Sequence, residues 1–228
     1  MIPHLIRLVC VGALATLLMS GCANTNKPTD SGFLKDYSRL KTEDVPGGGT
    51  RRAYVSPDFT PSRYNAILLQ PVVYYPDPQP TEEVPMETLA SIRSYVETSV
   101  RQKFGQQVML TDKPGAGVAN VRIAITAVGA ETQALKAYQY IPIGLAITGV
   151  VAVAEGGRPK DATIAMETSV TDSMTDELLY AAVRGGTGKR IEAASQGAGG
   201  VEPADLQPLI DTWADGAAQE IGKYVAQK

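Results

Sequence analysis

The chain of 228 residues sets 21 Lys+Arg against 24 Asp+Glu, a formal charge of −3, with 44% hydrophobic residues. This is enough chain to bury one sizeable core, and the mild acidity gives no electrostatic footprint for nucleic acid. The only histidine is His4 and the only cysteines are Cys10 and Cys22, so nothing further along can build a Ser-His-Asp or Cys-His nucleophile, a zinc site of imidazoles and thiolates, or a disulfide.

Chain order begins with Arg7 and a short apolar run over residues 8–19, the length of a signal-peptide hydrophobic region and too short to span a bilayer. It closes on Leu17-Leu18-Met19-Ser20-Gly21-Cys22. That pattern resembles the bacterial lipobox, in which the cysteine thiol is diacylated, the preceding peptide is removed and the new α-amine is acylated. Cys22 is therefore the expected lipid attachment site, and residues 1–21 the expected signal peptide. One acyl chain gives marginal anchoring and several give a stable one, at about 0.8 kcal/mol per buried CH₂. Ala23, and not Asp, follows the cysteine. By the same resemblance, the protein sorts to the outer membrane and faces the periplasm. Cleavage removes His4 and Cys10, so the routes left to catalysis are paired carboxylates, a lysine or tyrosine base, or an all-oxygen cation site.

Residues 22–63 are expected to form a lipidated tether and an irregular arm. Residues 23–31 are polar and aperiodic, as in a flexible tether. Phe33, Leu34, Tyr37 and Leu40 interrupt that polarity and predict a stretch that docks on the domain. Pro46, Gly47-Gly48-Gly49, Pro57 and Pro61 then break regular structure, with room for a short strand at Arg52-Ala53-Tyr54-Val55.

The compact domain is expected over residues 64–228. An apolar run at 66–73, interrupted by Pro71, predicts a buried strand. Met86, Leu89, Ile92, Val96, Val100 and Phe104 recur at helical spacing, with Gly105 as the stop. Val108-Met109-Leu110 and residues 121–126 predict two further strands. Residues 164–170 and 178–183 predict an antiparallel hairpin around the Asp172–Asp176 turn. The last helix is expected at 208–225, with Leu209, Ile210, Trp213, Ala217, Ile221 and Val225 on its inner face and Pro208 in its first turn. The order is β-α-β-β, an insertion, a hairpin, then α. This predicts an α+β fold: one mixed or antiparallel sheet of about five strands with two long amphipathic helices on one face.

Three segments call for a functional test. Residues 141–154 carry no charge over fourteen positions, which fits buried core, a partner interface or membrane contact. Gly185-Gly186-Thr187-Gly188-Lys189-Arg190 superficially suggests a phosphate loop, but Arg190 stands where Ser or Thr should hold magnesium and Val183 where the first glycine belongs. A flexible hairpin end is the expectation. Asp172-Ser173-Met174-Thr175-Asp176 lacks the central ligand and glycine of a calcium loop, and reads as a turn. No catalytic, cofactor-binding or metal-ligating residue is assigned.

Ser31-Gly32-Phe33-Leu34 with Asp36-Tyr37-Ser38, then Tyr64 opening the strand toward Pro71-Val72, resemble an uncharacterised family of bacterial lipoproteins, numbered thirty-three thirteen among domains of unknown function. The resemblance brings no activity with it. The expectation is a non-enzymatic, palmitate-bearing envelope lipoprotein, held to the membrane through Cys22 and binding a protein partner or the cell wall. The alternative is a subunit of an oligomeric secretion or transport assembly, and a carboxylate enzyme stands third.

Overall fold

The computed structural model describes residues 30–45, 49–131, 160–191 and 200–228. Within them the strands are β1 (Lys41–Asp44), β2 (Thr50–Val55), β3 (Ala66–Leu69), β4 (Val73–Tyr74), β5 (Met109–Thr111), β6 (Val118–Glu131), β7 (Lys160–Asp172) and β8 (Leu178–Ile191). The helices are α1 (Met86–Gln107) and α2 (Pro203–Ile221). All eight strands join one open mixed sheet in the order β1-β2-β8-β7-β6-β3-β5, with β4 paired to β6. The meander β6-β7-β8 is antiparallel, and β3 runs parallel to both β5 and β6.

Side-chain alternation along β6 decides which face is which. Val121, Ile123 and Ile125 point into the main core, where α1 contributes Ile92, Val96 and Phe104 and α2 contributes Leu206, Ile210 and Trp213. A bulge between Ile125 and Ala127 then resets the register. Ala127 consequently joins the opposite face and Val128 returns to the core. The helices are cross-linked through Asp211, whose carboxylate accepts bonds from Tyr95 Oη at 2.9 Å and Ser99 Oγ at 3.2 Å.

The sheet has eight strands where about five were expected. Residues 41–51, expected to be irregular, supply β1 and the start of β2, and the short strand expected at 52–55 is the rest of β2. β2 zips antiparallel onto β8 from Arg51↔Arg184 to Val55↔Tyr180. Backbone pairing makes β1 a strand although its side chains are exposed throughout. The helix faces also need correction. α2 starts at Pro203 behind a Glu202–Asp205 capping box, so Pro208 lies inside it and leaves the Ala204 carbonyl without its usual donor. Leu206, Ala214 and Ala218 are buried, whereas Leu209 and Ala217 are only half-buried. In α1, Gly105 does not stop the helix, and Met86 is exposed. The apolar stretch 141–154 lies outside the described residues.

Candidate functional site

Along β8 the residues facing α2 are Tyr180, Ala182, Arg184, Gly186 and Gly188, every second position of the strand. The two glycines bring the helix down. A Cβ on Gly188 would stand 2.4 Å from the Asp205 carbonyl oxygen, and one on Gly186 would stand 2.7 Å from Trp213 Cζ2. The segment expected to be a flexible hairpin end is thus strand on which α2 rests at van der Waals contact. Further along, the larger residues of β8 and the C-terminal half of α2 leave a cavity of about 510 Å³ between them. Ala182, Thr168 and Met166 form part of its floor, and Trp213 and Ala217 part of its roof. Its inner end reaches Val96, Val100 and Phe104 of α1.

Polar groups gather at the β2 end. Arg51 donates from Nε to Glu43 Oε1 at 2.6 Å, and from Nη2 to Glu220 Oε1 at 2.5 Å with Nη1 bonded to the other Glu220 oxygen. This bidentate geometry between β2 and α2 fixes the guanidinium. Tyr180 and Tyr224 share this environment, and among the described residues neither hydroxyl has a hydrogen-bond partner. Burial pushes both phenols above their ordinary pKa, with the Glu220 carboxylate adding to the shift, so both remain protonated donors. Tyr224 stacks on Phe59 at 5.0 Å, and the Arg184 guanidinium sits 4.6 Å from the centre of the Trp213 ring. The cavity is therefore largely apolar, with two donor hydroxyls and the Arg51–Glu220 ion pair at one end, and Arg184, Asp215 and Lys223 also in its lining.

A second arrangement covers the opposite face of the sheet. Ala124, Ala127, Ala165 and Ala181 make a shallow floor on which Phe33 and Leu34 lie buried. Tyr37 Oη accepts bonds from Gly32 N at 2.9 Å and Leu34 N at 3.1 Å, and donates to Glu167 Oε2 at 2.7 Å. Glu167 is only 2% exposed, and its second oxygen accepts from Ser31 N at 3.4 Å. Burial raises the Glu167 pKa against the lowering effect of these bonds. Burial also pushes the Tyr37 phenol up to about 12, which keeps it a donor. Arg52 closes the arm with an ion pair to Asp30 at 2.6 Å, and Arg122 lies 4.8 Å from the centre of the Phe33 ring.

Of the sequence-predicted site residues, Cys22 lies outside the described residues. Asp172–Asp176 forms a turn, with Asp172 Oδ1 accepting from Met174 N at 2.8 Å and Thr175 N at 3.0 Å. Among the described residues no cluster of three or more His, Cys, Asp or Glu could hold a metal ion. Sequence reasoning missed Glu167 and the tyrosine pair. The available signal was the alternation in β7 and β8, which places Tyr180 with Ala182 and Arg184, and Glu167 with Ala165.

Residues 29–217 match the family described as "Protein of unknown function (DUF3313)". The chain belongs to this family. Within the matched residues, Phe33, Leu34 and Tyr37 pack on the alanine floor. The chain is also 33% identical over 188 residues to the Escherichia coli K12 "Uncharacterized lipoprotein YdcL", covering 81% of this chain and 84% of that one. Among solved structures, a PelC dodecamer subunit from Paraburkholderia phytofirmans aligns with TM-score 0.36 and 12% identity over 77% of this chain and 97% of that one. A Xanthomonas campestris protein of family DUF330 aligns with TM-score 0.38 and 10% identity over 81% and 91%. Likenesses that distant carry no function across.

Proposed function

We propose that this chain is a lipoprotein anchored through Cys22 in the outer membrane, facing the periplasm, whose domain binds a ligand and catalyses nothing. The observation that carries the reading is the seated arm. Ser31, Phe33, Leu34 and Tyr37 are fixed to the sheet, so the chain leaving toward Cys22 starts from a rigid point. Seven residues, eight backbone steps, separate Cys22 from Asp30, a reach of at most about 29 Å when fully extended. A domain held this closely to a bilayer suits capture at or near the membrane surface. Kinship with a lipoprotein supports the anchor. Among the described residues no helix is long and apolar enough to cross a membrane.

The binding role is favoured over carboxylate catalysis by the chemistry at the cavity's polar end. The two carboxylates that line the cavity, Glu220 and Asp215, are ion-paired to Arg51 and Lys103 respectively. Carboxylate oxygens already engaged by a fixed cation are not placed to take a proton from a substrate. Cys22→Ser removes the thiol and should abolish radiolabelled palmitate incorporation and move the protein out of the membrane fraction. Continued labelling of this variant overturns the anchor.

A further inference from the structure

The cavity under α2 calls for an occupant. Protein interiors are packed to crystal-like density, and voids larger than a water molecule are few. A volume of about 510 Å³ reaching the core residues Val96, Val100 and Phe104 lies within the range of small-molecule sites, roughly 300–1,000 Å³. The lining also gives it a shape. It runs from Arg51 on β2 across β8 and β7 to Val121 and Ile123 on β6. Three strand spacings of about 4.8 Å make that a span of about 14 Å. The far end is formed by Val, Ile and Phe, and the near end holds two tyrosine hydroxyls without partners among the described residues.

Such a site matches a long, narrow, one-headed molecule better than a compact ring or a wholly polar one. We propose that this cavity binds a single-chain amphiphile, with its acyl chain on the floor of Met166 and Thr168 and its carboxylate or ester carbonyl accepting from Tyr180 and Tyr224. Arg51 is already compensated by Glu43 and Glu220, so hydrogen bonds from the tyrosines hold the head, and Lys223, also in the lining, adds positive charge. The polar half of the site is carried by the helix and two strands together. Glu220 and Tyr224 come from α2 and the residues just after it, Arg51 from β2, and Tyr180 from β8. The inference deepens the binding role proposed above and is independent of the anchor, which the palmitate experiment reads separately.

Trp213, the only tryptophan, lines the cavity and supplies the reporter. Full-length protein held in an amphipathic polymer is titrated with dansyl-undecanoate, following dansyl emission sensitised by Trp213, with polymer alone as the blank. Saturable transfer is expected, competed by decanoate. Thr168→Leu, which thickens the floor, should weaken binding by about tenfold or more. Ala217→Leu, which lowers the roof, provides an independent filling variant. Tyr180→Phe, which removes one donor, should weaken binding by about two- to tenfold. Circular dichroism selects the folded variants for comparison. Transfer no greater than the blank, or affinity unchanged in the folded filling variants, overturns the assignment. Displacement by naphthalene as effective as that by decanoate overturns the acyl-chain assignment.

Discussion

Removing a single oxygen atom tests how the arm is held. In Tyr37→Phe the ring remains, but the 2.7 Å bond to Glu167 and the bonds from Gly32 N and Leu34 N are lost. Glu167 is 2% exposed, so water cannot replace the donor, and stranding a buried acceptor costs about 1–3 kcal/mol. Of the two backbone donors Gly32 N is exposed and can turn to water, and the pair adds about 1 kcal/mol. The expected loss is about 2–3 kcal/mol in urea unfolding followed by Trp213 fluorescence. The pH dependence gives a second readout. Burial holds the native Glu167 pKa above the ordinary glutamate value, so the native state retains this proton to higher pH than the unfolded chain. The stability tied to the group is then complete below the unfolded value and is lost as pH rises through the raised native one. Tyr37→Phe removes a bond that lowers the native pKa and should extend that loss upward in pH. Glu167→Gln keeps an acceptor for Tyr37 and should flatten the profile across the same window. A Tyr37→Phe loss below about 0.5 kcal/mol, together with an unchanged pH slope in Glu167→Gln, would refute the latch.

The glycine contacts predict a ranking. Gly188→Ala meets helix backbone at 2.4 Å and should cost about 2–3 kcal/mol in thermal or urea unfolding, whereas Gly186→Ala meets side chains that can turn aside and should cost about 1 kcal/mol. Equal losses would show that α2 does not rest its backbone on β8. Trp213→Ala removes a ring that is 7% exposed and stacks with Arg184, and should lower stability by about 3–5 kcal/mol. An unchanged melting temperature, read by circular dichroism, would contradict its place in the core.

Legibility in the sequence followed apolar periodicity. Leu89, Ile92, Val96, Val100 and Phe104 stand at helical spacing and all are buried on α1, and the hairpin alternation gave the β7–β8 pair. β1 has no such signal, since Lys41-Thr42-Glu43-Asp44 is polar at every position and its strand character comes from backbone bonds to β2. Nothing in the alternation of residues 164–170 marks Glu167 as buried. The alanines at 165 and 181 beside it were the sign of a covered face, because a floor of methyl groups leaves room for Phe33 and Leu34 to lie flat. Glycine clustering at 185–188 reads as a loop because the demand for glycine there is tertiary, helix against strand, and local sequence carries no record of the helix that lands on it. The cavity escaped for the same reason: Tyr180, Thr168 and Ala217 are far apart in sequence, and nothing in any one segment announces a space between them.

The seat of α2 on Gly186 and Gly188 acts as a fulcrum. Two residues that line no part of the cavity fix how steeply the helix rises from the sheet, and hence the headroom farther along it. Capacity and selectivity are thereby separable. Residues lining the cavity decide which chemistry is welcome, while the thickness of two strand positions decides how bulky a guest can be. Enlarging or shrinking the chamber needs no change to the groups that greet its contents.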